Sequence, residues 1–378
     1  MPVSAAEFIY LDYNASTPLA PEVAELIARL AAGPFGNPSS SHWAGCPARE
    51  AVERARAQVA ALAGCSPGEI VFTSGGSEAN NHAIKGVWFA SGRPDGHIVT
   101  TQVEHPAVLE PCRFLERLGA SVTYVAVDGY GRVDPDDIRR ALTARTVLVS
   151  VMHANNEVGT MQPVAEIARV AHEHGVLFHT DAAQSMGKIS ATAAVTGADL
   201  LSIAGHKLYA PKGVGALYIR KGVVLESLVH GAGHEGGRRA GTENILLDAA
   251  LGAACDLAHP WLDSTAARDL RDRLWQLLKA RFGDAVVLHG HPTERLPNTL
   301  NVGFRGTPGS AILERVPEIA ASTGSACHTG EVTLSPVLQA MHVAPETGMG
   351  AIRFSLGRPT SAAEIDRTVE LLAARVHF

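Results

Sequence analysis

EIVFTSGGSEANNHAIKGVWFASG, residues 69–92, reads as a strand, a glycine turn and a helix in direct succession. The strand ends in the Gly75-Gly76 turn, and Ser77 opens the helix. Working outward, PAREAVERARAQVAALAG (47–64) is an amphipathic helix, and PVAEIARVAHEHG (163–175) has the same helical period. Short apolar runs recur at HIVTTQVEH (97–105), SVTYVAVD (121–128), TVLVSVMHANNE (146–157), VLFHTDAAQ (176–184), LLSIAGHK (200–207) and GALYIR (215–220). Strands alternating with helices predict an α/β fold with a mainly parallel sheet of seven strands, covered by helices on both faces. The helices thin out near the end of this region, so one late strand is expected to run antiparallel.

From about Cys255 the pattern changes. A long helix (267–283) precedes short strands at VVLHG (286–290), NTLNVGF (298–304) and AIRFSLG (351–357), and a closing helix covers roughly 362–376. The expected division is a large domain over 15–255 and a smaller α+β domain built from 1–14 and 256–378. The segment STGSACHTGE (322–331) sits in that smaller domain, and its small polar residues read as a mobile surface loop, extending to about 334.

The bulk numbers narrow the function. A chain of 378 residues with 46% hydrophobic and 19% charged side chains suits a soluble globular protein with a large core. The formal charge of -6 gives no basic field for nucleic acid or an anionic membrane. The start, MPVSAAEFIYLDYN, lacks the order of a signal peptide, and no apolar run is long enough to span a bilayer. A cytoplasmic protein is expected. The five cysteines, Cys46, Cys65, Cys112, Cys255 and Cys327, are scattered without a paired motif, against both a disulfide framework and a zinc site. Cys112 and Cys255 lie in apolar helical contexts, and only Cys327 sits among Gly, Ser and Thr. The His172-Glu173-His174 run has the wrong spacing for a metal-binding helix face, so no metal is expected.

In open parallel sheets ligands bind beyond the carboxyl ends of the strands, and chemically active residues fall there in this chain. Backbone N–H groups after Gly76, with the Ser77 hydroxyl, suit a phosphate, although a capped helix start looks the same. His105 could stack on a flat heterocycle and carry protons, or be a plain structural histidine. Asp181 could cap the next helix or pair with a protonated ring nitrogen. Lys207 could be a surface lysine or, in a dry cleft, a Schiff-base former. Taken together the four describe pyridoxal phosphate, an electron sink that needs those supports.

With these residues in view, the chain resembles the cysteine desulfurases of the NifS/IscS type, within the class V aminotransferase-like, fold-type I pyridoxal-phosphate enzymes. The likeness runs through YLDYNASTP (10–18), GNPSSSHWAG (36–45), FTSGGSEANN (72–81), EHPAVL (104–109), MHANNEVGTMQP (152–163) and HTDAAQSMGK (179–188). It continues through GHKLYAPKGVGALY (205–218), RAGTEN (239–244), TGSAC (323–327) and IRFSLGRPT (352–360). The resemblance implies that Lys207 is the Schiff-base lysine, Asp181 the partner of the pyridine nitrogen and Gln184 the donor to the ring hydroxyl. It implies His105 as the stacking residue and Asn156 as a contact to cofactor and substrate. Gly76, Ser77 and His206 match phosphate-binding positions, and Thr242 matches one that reaches the partner subunit's phosphate, so a homodimer is implied. Arg353 is similar to the arginine that clamps the substrate carboxylate.

Cys327 would be the thiol that takes sulfur from L-cysteine, leaving a persulfide and L-alanine and passing sulfur to an acceptor protein. Two departures stand out. Ala204 replaces the usual Ser before Gly-His-Lys, removing one phosphate hydroxyl. ACHTG replaces the commoner ACTS, a run reminiscent of selenocysteine lyases, and His328 there could lower the Cys327 pKa or be a solvated bystander. The rival readings are a selenocysteine lyase, a class V enzyme without sulfur chemistry and a non-catalytic scaffold that binds a sulfur carrier.

Overall fold

The computed structural model of the chain describes residues 8–376 apart from 263, 324, 329 and 330, and gives the backbone alone for 325–328 and 331–332. After a two-residue strand, β1 (Ile9–Tyr10), come β2 (Ile70–Thr73), β3 (His97–Thr101), β4 (Ser121–Val125), β5 (Thr146–Ser150), β6 (Leu177–Asp181), β7 (Leu200–Ala204) and β8 (Gly215–Ile219). The last seven form one sheet in the order β2-β8-β7-β6-β5-β3-β4. Neighbours pair in parallel except β8, which runs antiparallel to both β7 and β2. The reversal follows from chain length. Residues 205–214 between β7 and β8 fall short of the roughly dozen residues that a parallel crossover needs.

Every residue of β3, β7 and β8 is buried, as a sheet covered on both faces requires. Alternate side chains feed two separate apolar layers. Phe72, Val99 and Phe178 pack with the Gly45–Ala63 helix through Val52, Val59 and Ala63. Val71, Ile98 and Leu217 pack on the other face with Ala83, Ile84 and Leu115, from the Gly76–Ala90 and Pro106–Glu116 helices. Cys112 and Cys255 are fully buried in helices, as their contexts suggest.

The C-terminal part adds β9 (Val286–His289), β10 (Thr299–Phe304), β11 (Ile319–Ala320), β12 (Ser322–Thr323), β13 (Ser325–His328), β14 (Glu331–Leu334) and β15 (Ala351–Ser355). A four-stranded sheet runs β12-β15-β10-β9, and β1 pairs in parallel with β11. Ile9 and Leu11 therefore enter the apolar cluster of Leu274, Val302, Phe304, Phe354 and Leu372, far away in sequence. The stretch around Cys327 differs from the expected loop. Its backbone forms a β13–β14 antiparallel ribbon in which Cys327 faces Val332. Small polar residues give such short strands no apolar alternation for a sequence pattern to detect.

The strand ends approach closely where the glycine turn meets β8. Gly215 lies between Thr73 and Ala204, and a Cβ placed there would come within 2.8 Å of the Gly75 Cα and also meet the Ile203 carbonyl. Both obstacles are backbone, so rotation of a side chain gives no relief. Gly215→Ala is expected to cost about 1–3 kcal/mol in a urea titration by overpacking, and to weaken whatever binds at the Gly75-Gly76 turn.

Candidate active site

The parallel strands deliver their ends to one side of the sheet, where a cleft of about 670 Å³ opens. Its walls include Gly76, Ser77, His105, Asn156, Asp181, Gln184, His206, Lys207 and Arg353, all expected from the sequence, together with Asn14 and Asn80. Thr242 is not in this cleft and lies exposed on the surface. The backbone of Cys327 belongs to β13, and its side chain lies outside the described residues.

At one end of the cleft the Gly76–Ala90 helix begins. Its N-cap, Gly75, has φ 148°, a conformation that favours glycine, and no side chain caps the helix. A Cβ on Gly76 would lie 3.1 Å from the Ala204 methyl, so glycine keeps this approach open. The uncapped N–H groups form an anion cradle, and Ala204 rather than a hydroxyl lines it.

β3 is followed by Glu104 and His105. His105 caps the Pro106–Glu116 helix by accepting the Ala107 N–H at Nδ1, 3.0 Å, which leaves the proton of the neutral ring on Nε2. Burial, with the Lys207 charge adding and Asp181 opposing, lowers its pKa and favours that neutral ring. Glu104 is buried beneath, accepting from Thr101 Oγ1 at 2.8 Å and Met152 N at 2.9 Å. Burial, reinforced by Asp181, pushes its carboxyl up to about 8, which favours the uncharged acid at neutral pH.

Asp181 closes β6. Its carboxylate accepts from Asn80 Nδ2 at 2.7 Å and Ala183 N at 2.9 Å, and it has no ion-pair partner among the described residues. Across the cleft, Arg353 on β15 donates to Asp12 Oδ1 (2.7 Å), Ser322 Oγ (2.9 Å) and the Asn156 carbonyl (3.0 Å). Its Nε is buried without a hydrogen-bond partner among the described residues.

Lys207 follows β7 on a short helical turn, Gly205–Lys207, and its Nζ donates to the Asn14 and Ala15 carbonyls at 2.6 and 2.7 Å. Burial first, then the Arg353 charge, push this amine down to about 8. Burial and the neighbouring Lys207 and Lys212 charges push His206 down to about 4, so its ring is neutral. Gln184 donates from Nε2 to the Asn14 carbonyl at 3.0 Å, and its Oε1 accepts from Lys188 at 2.9 Å.

This donor set fits pyridoxal phosphate. A buried carboxylate with no cation beside it suits a protonated ring nitrogen, an uncapped helix start suits a phosphate, and a depressed lysine suits an aldehyde. Asn14, Asn80, Glu104 and Lys188 are the site residues that sequence reasoning missed. Each lies in a quoted motif, yet only the fold brings Asn14 from the far N-terminus into the cleft.

The aminotransferase class-V family profile matches residues 9–368. A cysteine desulfurase, IscS, of Dictyoglomus turgidum is 46% identical over 368 residues, which is 96% of this chain and 93% of that protein. Among solved structures, a NifS-like protein superposes with a TM-score of 0.91 at 35% identity, covering 97% of this chain and 98% of its own. A structure described as SspA in complex with cysteine has a TM-score of 0.81 at 36% identity, covering 92% and 98%.

A lowered lysine pKa means that the protonated form is disfavoured, so the free amine appears earlier as pH rises. In the cofactor-free protein, Lys207 should become half reactive toward an acylating reagent near pH 8, against about 10.4 for an ordinary lysine. Peptide mass spectrometry across a pH series reads this, and a Lys207 profile identical to that of surface lysines would contradict it.

Proposed function

The chain belongs to the aminotransferase class-V family, and from that premise we propose that it is a pyridoxal-phosphate-dependent cysteine desulfurase. It converts L-cysteine to L-alanine and retains the sulfur as a persulfide on Cys327. The observation that carries this reading is the half-buried Lys207 amine, its pKa lowered to about 8, in one cleft with the Asp181 carboxylate and Arg353. Bound pyridoxal phosphate supplies the electron sink that makes the substrate Cβ–S bond labile.

The side-chain roles proposed here are those that the resemblance implies, and the shared cleft supports them. Asp181 would hold the ring nitrogen in its charged form, with Asn80 fixing the carboxylate. The open N–H groups at Gly76 and Ser77, with His206, would hold the phosphate, where Ala204 offers no hydroxyl. His105 would stack on the ring, with Nδ1 engaged by Ala107 and the proton of the neutral ring on Nε2. Arg353, on the cleft wall beside Asn156, would receive the substrate carboxylate. Lys207 would bind the cofactor aldehyde and move a proton at Nζ, a task suited to an amine that titrates near the working pH.

The sulfur balance is closed. The substrate carbon–sulfur bond breaks, a sulfur–sulfur bond forms at Cys327, and the proton released by that thiol ends on the methyl group of alanine. The persulfide sulfur then passes to an acceptor protein.

We extend the reading to the assembly. Thr242 is exposed and outside its own cleft, which supports a homodimer in which it serves the partner's phosphate. The separate cluster of Ile9 and Leu11 with C-terminal side chains supports a small domain of 1–14 and 256–378 against a large one of 15–255. No single helix among the described residues is long and apolar enough to cross a membrane, which is compatible with a cytoplasmic location.

Cys327→Ala should keep the cofactor absorbance and lose alanine release from L-cysteine by about two orders of magnitude or more. Unchanged alanine release would remove Cys327 from the mechanism. Parallel turnover of selenocysteine on the same preparation separates the lyase reading, since a lyase would release alanine from selenocysteine alone.

A further inference from the structure

Lys188 sets its amine against Gln184 and Asn14, and no anionic group among the described residues offsets it. Its Nζ lies 2.9 Å from Gln184 Oε1 and 3.1 Å from Asn14 Oδ1, both neutral acceptors. Burial, with the charges of Lys207 and Arg353, pushes this amine down to about 7. Tyr13, Tyr209 and Arg358 share with Lys188 and Lys207 the wall of a second cavity, of about 70 Å³.

The two acceptors explain why an amine is needed. An amide has a donor end and an acceptor end, and their order decides what it can offer. A donor on Gln184 Oε1 turns its NH2 the other way, where Nε2 reaches the Asn14 carbonyl at 3.0 Å. That same carbonyl receives Lys207 Nζ at 2.6 Å. Two N–H bonds suffice for both acceptors, so Lys188 holds them in its neutral as well as its charged form.

We propose that Lys188 is a positioning residue for the reaction at Lys207: bonded to Gln184 Oε1 and Asn14 Oδ1, it fixes the direction of the Gln184 donors and of the Asn14 carbonyl. The inference rests on the reading of Lys207 as the cofactor-bearing residue. Without this amine, the Gln184 amide loses the bond that sets its orientation, and the Asn14 side chain keeps only Asn298 Nδ2 on its oxygen.

The test compares holoenzyme of Lys188→Met, which has similar length and no donor, with Lys188→Arg, which keeps donors. The pH midpoint of the bound cofactor's visible absorption is read beside kcat and KM for L-cysteine. In Lys188→Met the midpoint should move up by about one pH unit, because a neighbouring cation and an oriented donor are both lost. The kcat should fall by about 10- to 100-fold while KM stays within about 3-fold, the signature of misplacement rather than lost binding. Lys188→Arg should recover at least part of the shift. A wild-type midpoint and kcat in Lys188→Met would overturn the proposal. Lys188→Gln, too short to hold both acceptors, decides the question by the same readouts if Lys188→Met fails to fold. A wild-type protein that takes up no pyridoxal phosphate would overturn the reading of Lys207 instead, which keeps the two failures apart.

Discussion

Asn14 is tied through each of its polar atoms to residues that are distant in sequence, and the site depends on that knot. Its backbone N–H donates to Ser355 Oγ, and its carbonyl receives Lys207 and Gln184. Its side chain donates to Thr299 Oγ1 and the Asn156 carbonyl and accepts from Lys188 and Asn298. Ser355, Asn298 and Thr299 lie on or beside β15 and β10, whereas Gln184, Lys188 and Lys207 follow strands of the seven-stranded sheet. One buried asparagine thus joins the two sheets at the point where the lysine stands. A fully satisfied network of this kind fixes geometry, and a partly broken one leaves polar groups unpaired in a dry place.

Desolvation is the second constraint, and it acts in one direction on the bases around the cleft. Lys207, Lys188, His105 and His206 all fall below their ordinary values, with burial as the largest cause in each case. This favours neutral imidazoles at His105 and His206 and brings both amines to titrate near neutral pH, the range in which such groups attack carbonyls and carry protons. Asp181 and Arg353 line the same cleft, Asp181 held by Asn80 and Ala183, and Arg353 by Asp12, Ser322 and Asn156. Burial acts on Glu104 too, raising its carboxyl to about 8 and favouring the uncharged form beside His105.

Much of this was legible in the sequence. The seven apolar runs became the seven strands, and the reversed strand appeared where the connection was too short for a crossover. Lys207, Asp181, His105 and Gly76 were readable because strand-end placement gives their chemistry a meaning, whereas Arg353 came only from the family resemblance. Asn14 was not, since a lone asparagine near the N-terminus has no pattern, and its partners come from both ends of the chain. Lys188 was visible as a residue of HTDAAQSMGK and invisible in role, because one helical turn after Gln184 it could as well have faced solvent. The ribbon at β13–β14 escaped because Gly, Ser and Thr obscure strand periodicity.

The central claim is that Lys207, and not its neighbour Lys188, carries the cofactor. Borohydride reduction of the holoenzyme followed by peptide mapping tests it directly, since reduction fixes the cofactor on the nitrogen that holds it. The account predicts the pyridoxyl group on the peptide containing Lys207 alone. A label on Lys188, or on a lysine outside the cleft, would contradict it.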